Sequence, residues 1–234
     1  VHMHYASKGL LALALARFHP LVVTALGSDV GPQVGYRFPY AFFTHRLLEG
    51  AECITVKSVH MKTMLSEIGD FSDKTVLLTW GVERQQYRPD RPTQALRERL
   101  SLAEETLVFL SPRATRALYN HNLILDAFRL YRQRGGPDAV LLLPEFNPGL
   151  AYLRHLKQTV SRWGLEDQIR FLPPQDSEGM ADLYAVADVM LSVPSSDGFP
   201  QSIYEAWASG TFMLLGDLPQ YRQELAGSQT AKLV

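Results

Sequence analysis

The stretch Pro194-Ser195-Ser196-Asp197-Gly198-Phe199-Pro200-Gln201-Ser202-Ile203-Tyr204-Glu205-Ala206 decides the fold. It follows the run Asp188–Val193, which is apolar enough to read as a buried parallel strand. Pro194 breaks that run into a small polar loop, and Pro200 then opens a helix, because proline suits the first helical position, where its missing N–H would be unpaired anyway. A strand, loop and helix in this order place backbone N–H groups and a positive helix end at the carboxyl edge of a sheet, a ready seat for phosphate. Two carboxylates flank it: Asp197 in the loop and Glu205 eight positions on, in the second helical turn. Acceptors on both sides of a phosphate cradle suit a ligand with hydroxyls on both sides of its phosphates, which describes a nucleotide-sugar. The plain alternative is a solvated loop residue and a helix-surface carboxylate.

Outward from this stretch, apolar runs alternate with segments of helical period. The strands are expected at Leu21–Leu26, Cys53–Val56, Thr75–Thr79, Leu107–Leu110, Ala139–Leu143, Ile169–Leu172, Val189–Val193 and Phe212–Leu215. Helices such as Leu123–Arg134, Ala151–Trp163 and Met180–Ala187 lie between them. Uninterrupted apolar strands separated by helices predict an α/β fold with parallel sheet covered on both faces. A polar break with two prolines, Gly81–Thr93, reads as a linker between two such runs. The expected organisation is a first Rossmann-like domain over 1–80, a linker and lead-in over 81–103, and a nucleotide-binding Rossmann-like domain over 104–234.

The 234 residues are 46% hydrophobic and 20% charged, an ordinary core-forming composition. Net charge is −1 and no basic run stands out, which argues against a nucleic-acid partner. The single cysteine, Cys53, sits in an apolar run and reads as a core residue, consistent with a reducing, cytoplasmic setting. Arg17, His19 and Pro20 interrupt the apolar stretch from Gly9 to Leu26, so no membrane span is read there. There is no Asp-x-Asp, no His/Cys cluster at metal spacing, no Walker loop, no Gly-x-Ser-x-Gly and no Gly-x-Gly-x-x-Gly. Kinase, hydrolase and dehydrogenase readings lose ground, and no metal or cofactor is expected.

Asp197-x7-Glu205 followed by Ala206-Trp207-Ala208-Ser209-Gly210 resembles the donor motif of the GT-B glycosyltransferases of the family-4 retaining type, with the first Glu shortened to Asp. Gly81-Val82-Glu83 and Tyr87-Arg88-Pro89 resemble that family's domain junction, and Ser111–Asn120 its first loop of the second half, with Arg113 at the arginine position. The family's Lys-Gly falls on Tyr119-Asn120 here, so its second cation is missing from that place, and Arg116 is expected to substitute from within the loop. Thr24–Asp29 resembles the family's Thr-x-His-Gly-x-Asp at the interdomain cleft, with Leu26 in place of the histidine, leaving Gly27 and Asp29 as cleft residues. Both ends of the chain read as the interior of a longer enzyme, the first sheet lacking opening strands and the second its closing elements.

The resemblance implies a metal-independent, retaining transfer of a sugar from a nucleotide-sugar donor to a glycan, lipid or small-molecule acceptor, with peripheral membrane association where the acceptor is a lipid. Glu205 would hold the ribose hydroxyls and Asp197, the catalytic candidate, the hydroxyls of the transferred sugar. The amides of Gly198, Phe199, Gln201 and Ser202 would meet the distal phosphate, with Arg113 and Arg116 opposite. Two alternatives stay open: a sugar-nucleotide epimerase of the same fold, and a catalytically inactive nucleotide-binding module.

Overall fold

The computed structural model describes residues 1–6, 9–27, 29–31 and 38–234, so Ser28 of the Thr24–Asp29 stretch lies outside the described residues. The chain forms two compact units: Val1–Trp80 with Ser196–Pro200 and Leu218–Ala226, and Gly81–Ser195 with Gln201–Asp217 and Gly227–Val234.

The first unit begins with β1 (His2–His4), α1 (Leu11–Leu15), β2 (Val22–Thr24), α2 (Tyr40–Glu49), β3 (Cys53–Val56), α3 (Val59–Ser66) and β4 (Thr75–Leu77). Its four strands pair in parallel in the order β1-β2-β3-β4. Val23, Ile54 and Val56 from the sheet pack with Leu47 and Leu48 of α2 and Met61 and Leu65 of α3. Ser58 starts α3 as its N-cap, accepting the Met61 N–H at 3.3 Å.

The second unit runs through α4 (Gln94–Arg99), β5 (Leu107–Leu110), α5 (His121–Gln133), β6 (Ala139–Pro144), α6 (Leu150–Trp163), β7 (Ile169–Leu172), α7 (Ser177–Val186), β8 (Val189–Ser192), α8 (Gln201–Ser209) and β9 (Phe212–Leu215). Next in sequence, α9 (Pro219–Glu224) belongs to the first unit, where Glu224 Oε1 accepts the Val59 N–H of α3 at 3.0 Å; β10 (Ala231–Leu233) returns to the second. The six strands are all parallel, ordered β10-β9-β8-β5-β6-β7. All six residues of β6 are buried, as an apolar strand covered on both faces should be. Ile124, Leu125 and Phe128 of α5 and Leu156 and Val160 of α6 cover it at helical spacing.

Beyond small shifts of strand and helix ends, three differences from the sequence reading bear on the site. The second sheet's sixth position is filled by β10, in register Lys232 opposite Leu214; three residues with a central lysine do not stand out as an apolar run. Helix α8 begins at Gln201, with Pro200 just before it rather than inside it, a one-residue difference within the usual latitude of helix ends. The prolines of 81–93 do not keep that segment apart, because its side chains anchor it to α7. Tyr87 is buried, and Arg91 reaches Asp182 Oδ1 at 2.6 Å and Glu178 Oε1 at 2.5 Å.

Candidate functional site

The strand order of the second unit reverses direction between β5 and β8, the two central neighbours. In open parallel sheets the crevice at such a reversal, beyond the carboxyl ends of the strands, is where ligands bind. The loops leaving those two ends are 111–120 and the segment that starts at Val193, which are the two loops the sequence singled out. They are tied together. Asn120, held at φ 51° where an asparagine side chain is tolerated, donates from Nδ2 to Val193 O at 2.9 Å and to Ser195 Oγ at 3.0 Å. The Ser195 N–H donates to Leu118 O at 2.9 Å.

Arg113 lies in this crossing. It is buried, its Nη1 donates to Ser202 Oγ in the first turn of α8 at 3.0 Å, and its guanidinium stacks on Tyr119 with the carbon 4.5 Å from the ring centroid. The position where the family carries a second cation therefore holds the aromatic plate beneath the first. Arg116 turns elsewhere: Nε donates to Asn147 O at 3.0 Å and Nη2 to Asn147 Oδ1 at 2.8 Å, on the loop between β6 and α6. Gln201 donates from Nε2 to Gly81 O at 2.6 Å.

Glu205 sits one turn beyond Ser202, partly buried. Burial raises its pKa, and the phenols of Tyr184 and Tyr87 and the charge of Arg113 only partly offset that. Tyr184 is fully buried and its hydroxyl has no partner at hydrogen-bonding distance among the described residues, so its approach to Glu205 is a longer contact. Neither tyrosine was singled out from sequence. Tyr87 had a signal, since it stands in the junction motif; Tyr184 is one residue of an apolar helix face and has none. His121, the first residue of α5, is buried edge-on to Tyr152, and burial lowers its pKa to about 4. Buried polar atoms usually have partners. Ser111 Oγ, His121 Nδ1, Ser192 Oγ and Gln201 Oε1, all on elements that begin or end at this edge, have none among the described residues.

The remaining sequence candidates belong to the first unit. Asp29 is fully buried and its carboxylate accepts backbone N–H groups from Ala6 (2.6 Å), Leu26 (3.0 and 3.2 Å) and Gly27 (2.8 Å). That holds the turn after β2 together. Gly27, at φ +124°, packs against Gly198: a Cβ on Gly27 would lie 3.2 Å from the Gly198 Cα, and one on Gly198 would lie 2.5 Å from Leu26 O. In the segment 196–200 the Gly198 N–H donates to Asp197 Oδ1 at 2.7 Å, so that amide is engaged within its own loop. Asp197 Oδ2 accepts the Tyr221 hydroxyl at 2.9 Å, and Asp197 O accepts Gln220 Nε2 at 2.6 Å. Among the described residues no three His, Cys, Asp or Glu side chains gather as a metal site, and no helix is long and apolar enough to cross a membrane.

Two all-parallel sheets, the second with paired loops at its strand-order reversal, define a Rossmann-type α/β architecture. Residues 92–233, more than half of the chain, match the family model for glycosyl transferases group 1, and the chain belongs to that family. It is 30% identical over 155 residues to D-inositol 3-phosphate glycosyltransferase of Streptomyces scabiei, covering 63% of this chain and 35% of that protein. It is 25% identical over 177 residues to mannosylfructose-phosphate synthase of Agrobacterium fabrum, covering 71% and 38%. The chain thus spans about a third of the length of these relatives. Among solved structures, sucrose-phosphate synthase from Thermosynechococcus elongatus superposes with a TM-score of 0.81 at 21% identity, over 100% of this chain and 59% of that one. Anabaena HepE in complex with UDP-glucose superposes at 0.77 and 19% identity, over 92% and 58%. The fold is that of the GT-B glycosyltransferases.

Proposed function

We propose that the chain is part of a retaining glycosyltransferase that moves a sugar from a nucleotide-sugar to an acceptor hydroxyl, and that its second unit holds the nucleotide. The observation that carries this is Arg113, buried between the loop after β5 and the first turn of α8, with Glu205 one turn further on. A guanidinium facing a helix N-terminus suits a diphosphate, since both supply N–H donors and positive potential to the same oxygens. Glu205 takes the ribose hydroxyls, and Asp197 the hydroxyls of the transferred sugar. The first unit is proposed as the acceptor-side half.

The chemistry follows from charge. As the glycosidic bond breaks, negative charge grows on the departing diphosphate, and Arg113 with the α8 amides stabilises it without reorganising. The acceptor hydroxyl attacks on the face the diphosphate leaves and passes its proton to a diphosphate oxygen, which retains the configuration. Neutralisation by arginine and helix end is the reason to propose transfer without a metal. A cytoplasmic setting, and an acceptor that is a glycan, lipid or small molecule, remain part of this proposal.

One observation favours a second reading. The stack of Tyr119 under Arg113 leaves the loop with one cation facing α8 where the family has two, which suits a module that binds nucleotide and does not turn it over. The test is binding followed by turnover. The 234-residue chain is titrated with UDP, ADP, GDP and their sugar conjugates, and the longer protein is assayed for release of nucleoside diphosphate with and without EDTA. Binding with metal-independent release supports the transferase. Binding without release supports the module, and no binding overturns both.

A further inference from the structure

The segment 196–200 is clamped from two sides within the first unit. On one side Gly198 packs on Leu26 and Gly27 so closely that neither glycine could carry a side chain without displacement. On the other side stands α9. Its Gln220, 4% exposed, fixes the main chain at Asp197 O, and its Tyr221, fully buried, fixes the side chain at Asp197 Oδ2. Phe199 sits at φ +66°, a conformation a bulky residue adopts only when its surroundings impose it. Its ring is buried edge-on to Tyr221, centroids 6.0 Å apart at 75°. One tyrosine thus does two things: its ring supports the left-handed turn, and its hydroxyl orients the carboxylate two residues earlier.

We infer that Tyr221 is a positioning residue for donor-sugar recognition, holding Asp197 in the one rotamer that presents its carboxylate to a sugar hydroxyl. The inference rests on reading Asp197 as the group that meets the transferred sugar. An Asp in place of Glu has one fewer rotatable bond and a shorter reach, so its carboxylate follows the backbone closely. The Tyr221 phenol on Oδ2 and the Gly198 N–H on Oδ1 together fix the plane of that carboxylate.

Tyr221→Phe separates the two tasks, because it keeps the ring against Phe199 and removes only the hydroxyl. In the 234-residue chain, affinities for UDP, ADP and GDP are compared with those for UDP-glucose, ADP-glucose and GDP-mannose. Tyr221→Phe is expected to weaken the preferred nucleotide-sugar about tenfold, the usual loss for a hydrogen bond to a charged group, and to leave its nucleoside diphosphate unchanged. Asp197→Asn should do the same, and the double variant should lose no more than either single one. Equal weakening of both ligands by Tyr221→Phe, or no weakening of either, would overturn the inference while leaving the nucleotide site standing. Failure of the wild-type chain to bind any nucleoside diphosphate would overturn the functional reading itself, and this inference with it.

Discussion

Asp29 in the first unit and Glu205 in the second are both withdrawn from solvent, and they are treated in opposite ways. Asp29 is surrounded by backbone N–H groups from three residues and its lone pairs are taken up by the turn it closes. Glu205 is enclosed by two phenols and a guanidinium that do not compensate its burial, so its pKa stays raised. The same contrast runs through the two regions. After β2 the Leu26 and Gly27 amides are taken up by the Asp29 carboxylate, whereas the edge at β5 and β8 carries Ser111, His121, Ser192 and Gln201 atoms with no partner among the described residues. A carboxylate taken up by backbone amides serves the turn it closes, whereas Glu205, whose burial is not offset, is the one proposed to meet a ligand.

The comparison breaks first at Asp29. Asp29→Asn turns an acceptor-only group into one that presents N–H to N–H, and it should destabilise the chain by roughly 3–5 kcal/mol in denaturant unfolding. Unfolding unchanged from wild type would mean that those amides do not depend on the carboxylate. Next in size, Arg113→Ala should weaken UDP or its preferred counterpart by about fiftyfold and the bare nucleoside by less than about twofold, as loss of a charged phosphate contact predicts. Equal losses would place Arg113 away from the phosphates.

Glu205→Gln should weaken nucleotide binding about tenfold and yet raise the thermal midpoint at neutral pH. With its folded-state pKa above the unfolded one, Glu205 takes up a proton first in the folded chain. Its contribution to stability is present at low pH and is lost as pH rises through the folded pKa. A lowered midpoint in this variant would make Glu205 a structural residue like Asp29. The smallest effect belongs to His121, whose pKa falls to about 4 on folding. Its stability is present above the unfolded value and is lost as pH falls toward 4, about 1 kcal/mol between pH 7 and 5.5. His121→Gln should flatten that part of the stability profile, read by unfolding at the two pH values.

The strands were legible as short, mostly apolar runs set between helical segments. Cys53–Val56, Leu107–Leu110, Ile169–Leu172 and Phe212–Leu215 are observed with the bounds the sequence suggests. Ala231–Leu233 was not, because a short strand with a central lysine lacks that signature. The two loops at β5 and β8 were legible because backbone chemistry at a helix start leaves a local pattern of proline, glycine and small polar residues. What stayed hidden depends on contacts between residues far apart in sequence. Tyr184 beside Glu205, Tyr221 on Asp197 and Arg91 on α7 are ordinary residues locally, and only the folded chain gives them partners. Arg116 shows the converse, since its partner Asn147 lies 31 residues away and nothing near it in sequence announces the pairing.

The strap 196–200 leaves the second unit after Ser195 and rejoins it at Gln201, and residues 218–226 make a second excursion. The chain therefore passes between the units at 80/81, 195/196, 200/201, 217/218 and 226/227, so they are laced rather than strung in tandem. No single scission yields either unit whole. Expression from Gly81 onward would release Gly198 from the bed that Leu26 and Gly27 provide, and leave α9 without the α3 amide it caps. Dissection, domain grafting and limited proteolysis of this chain should accordingly report on both units at once, with neither recovered as an intact fragment.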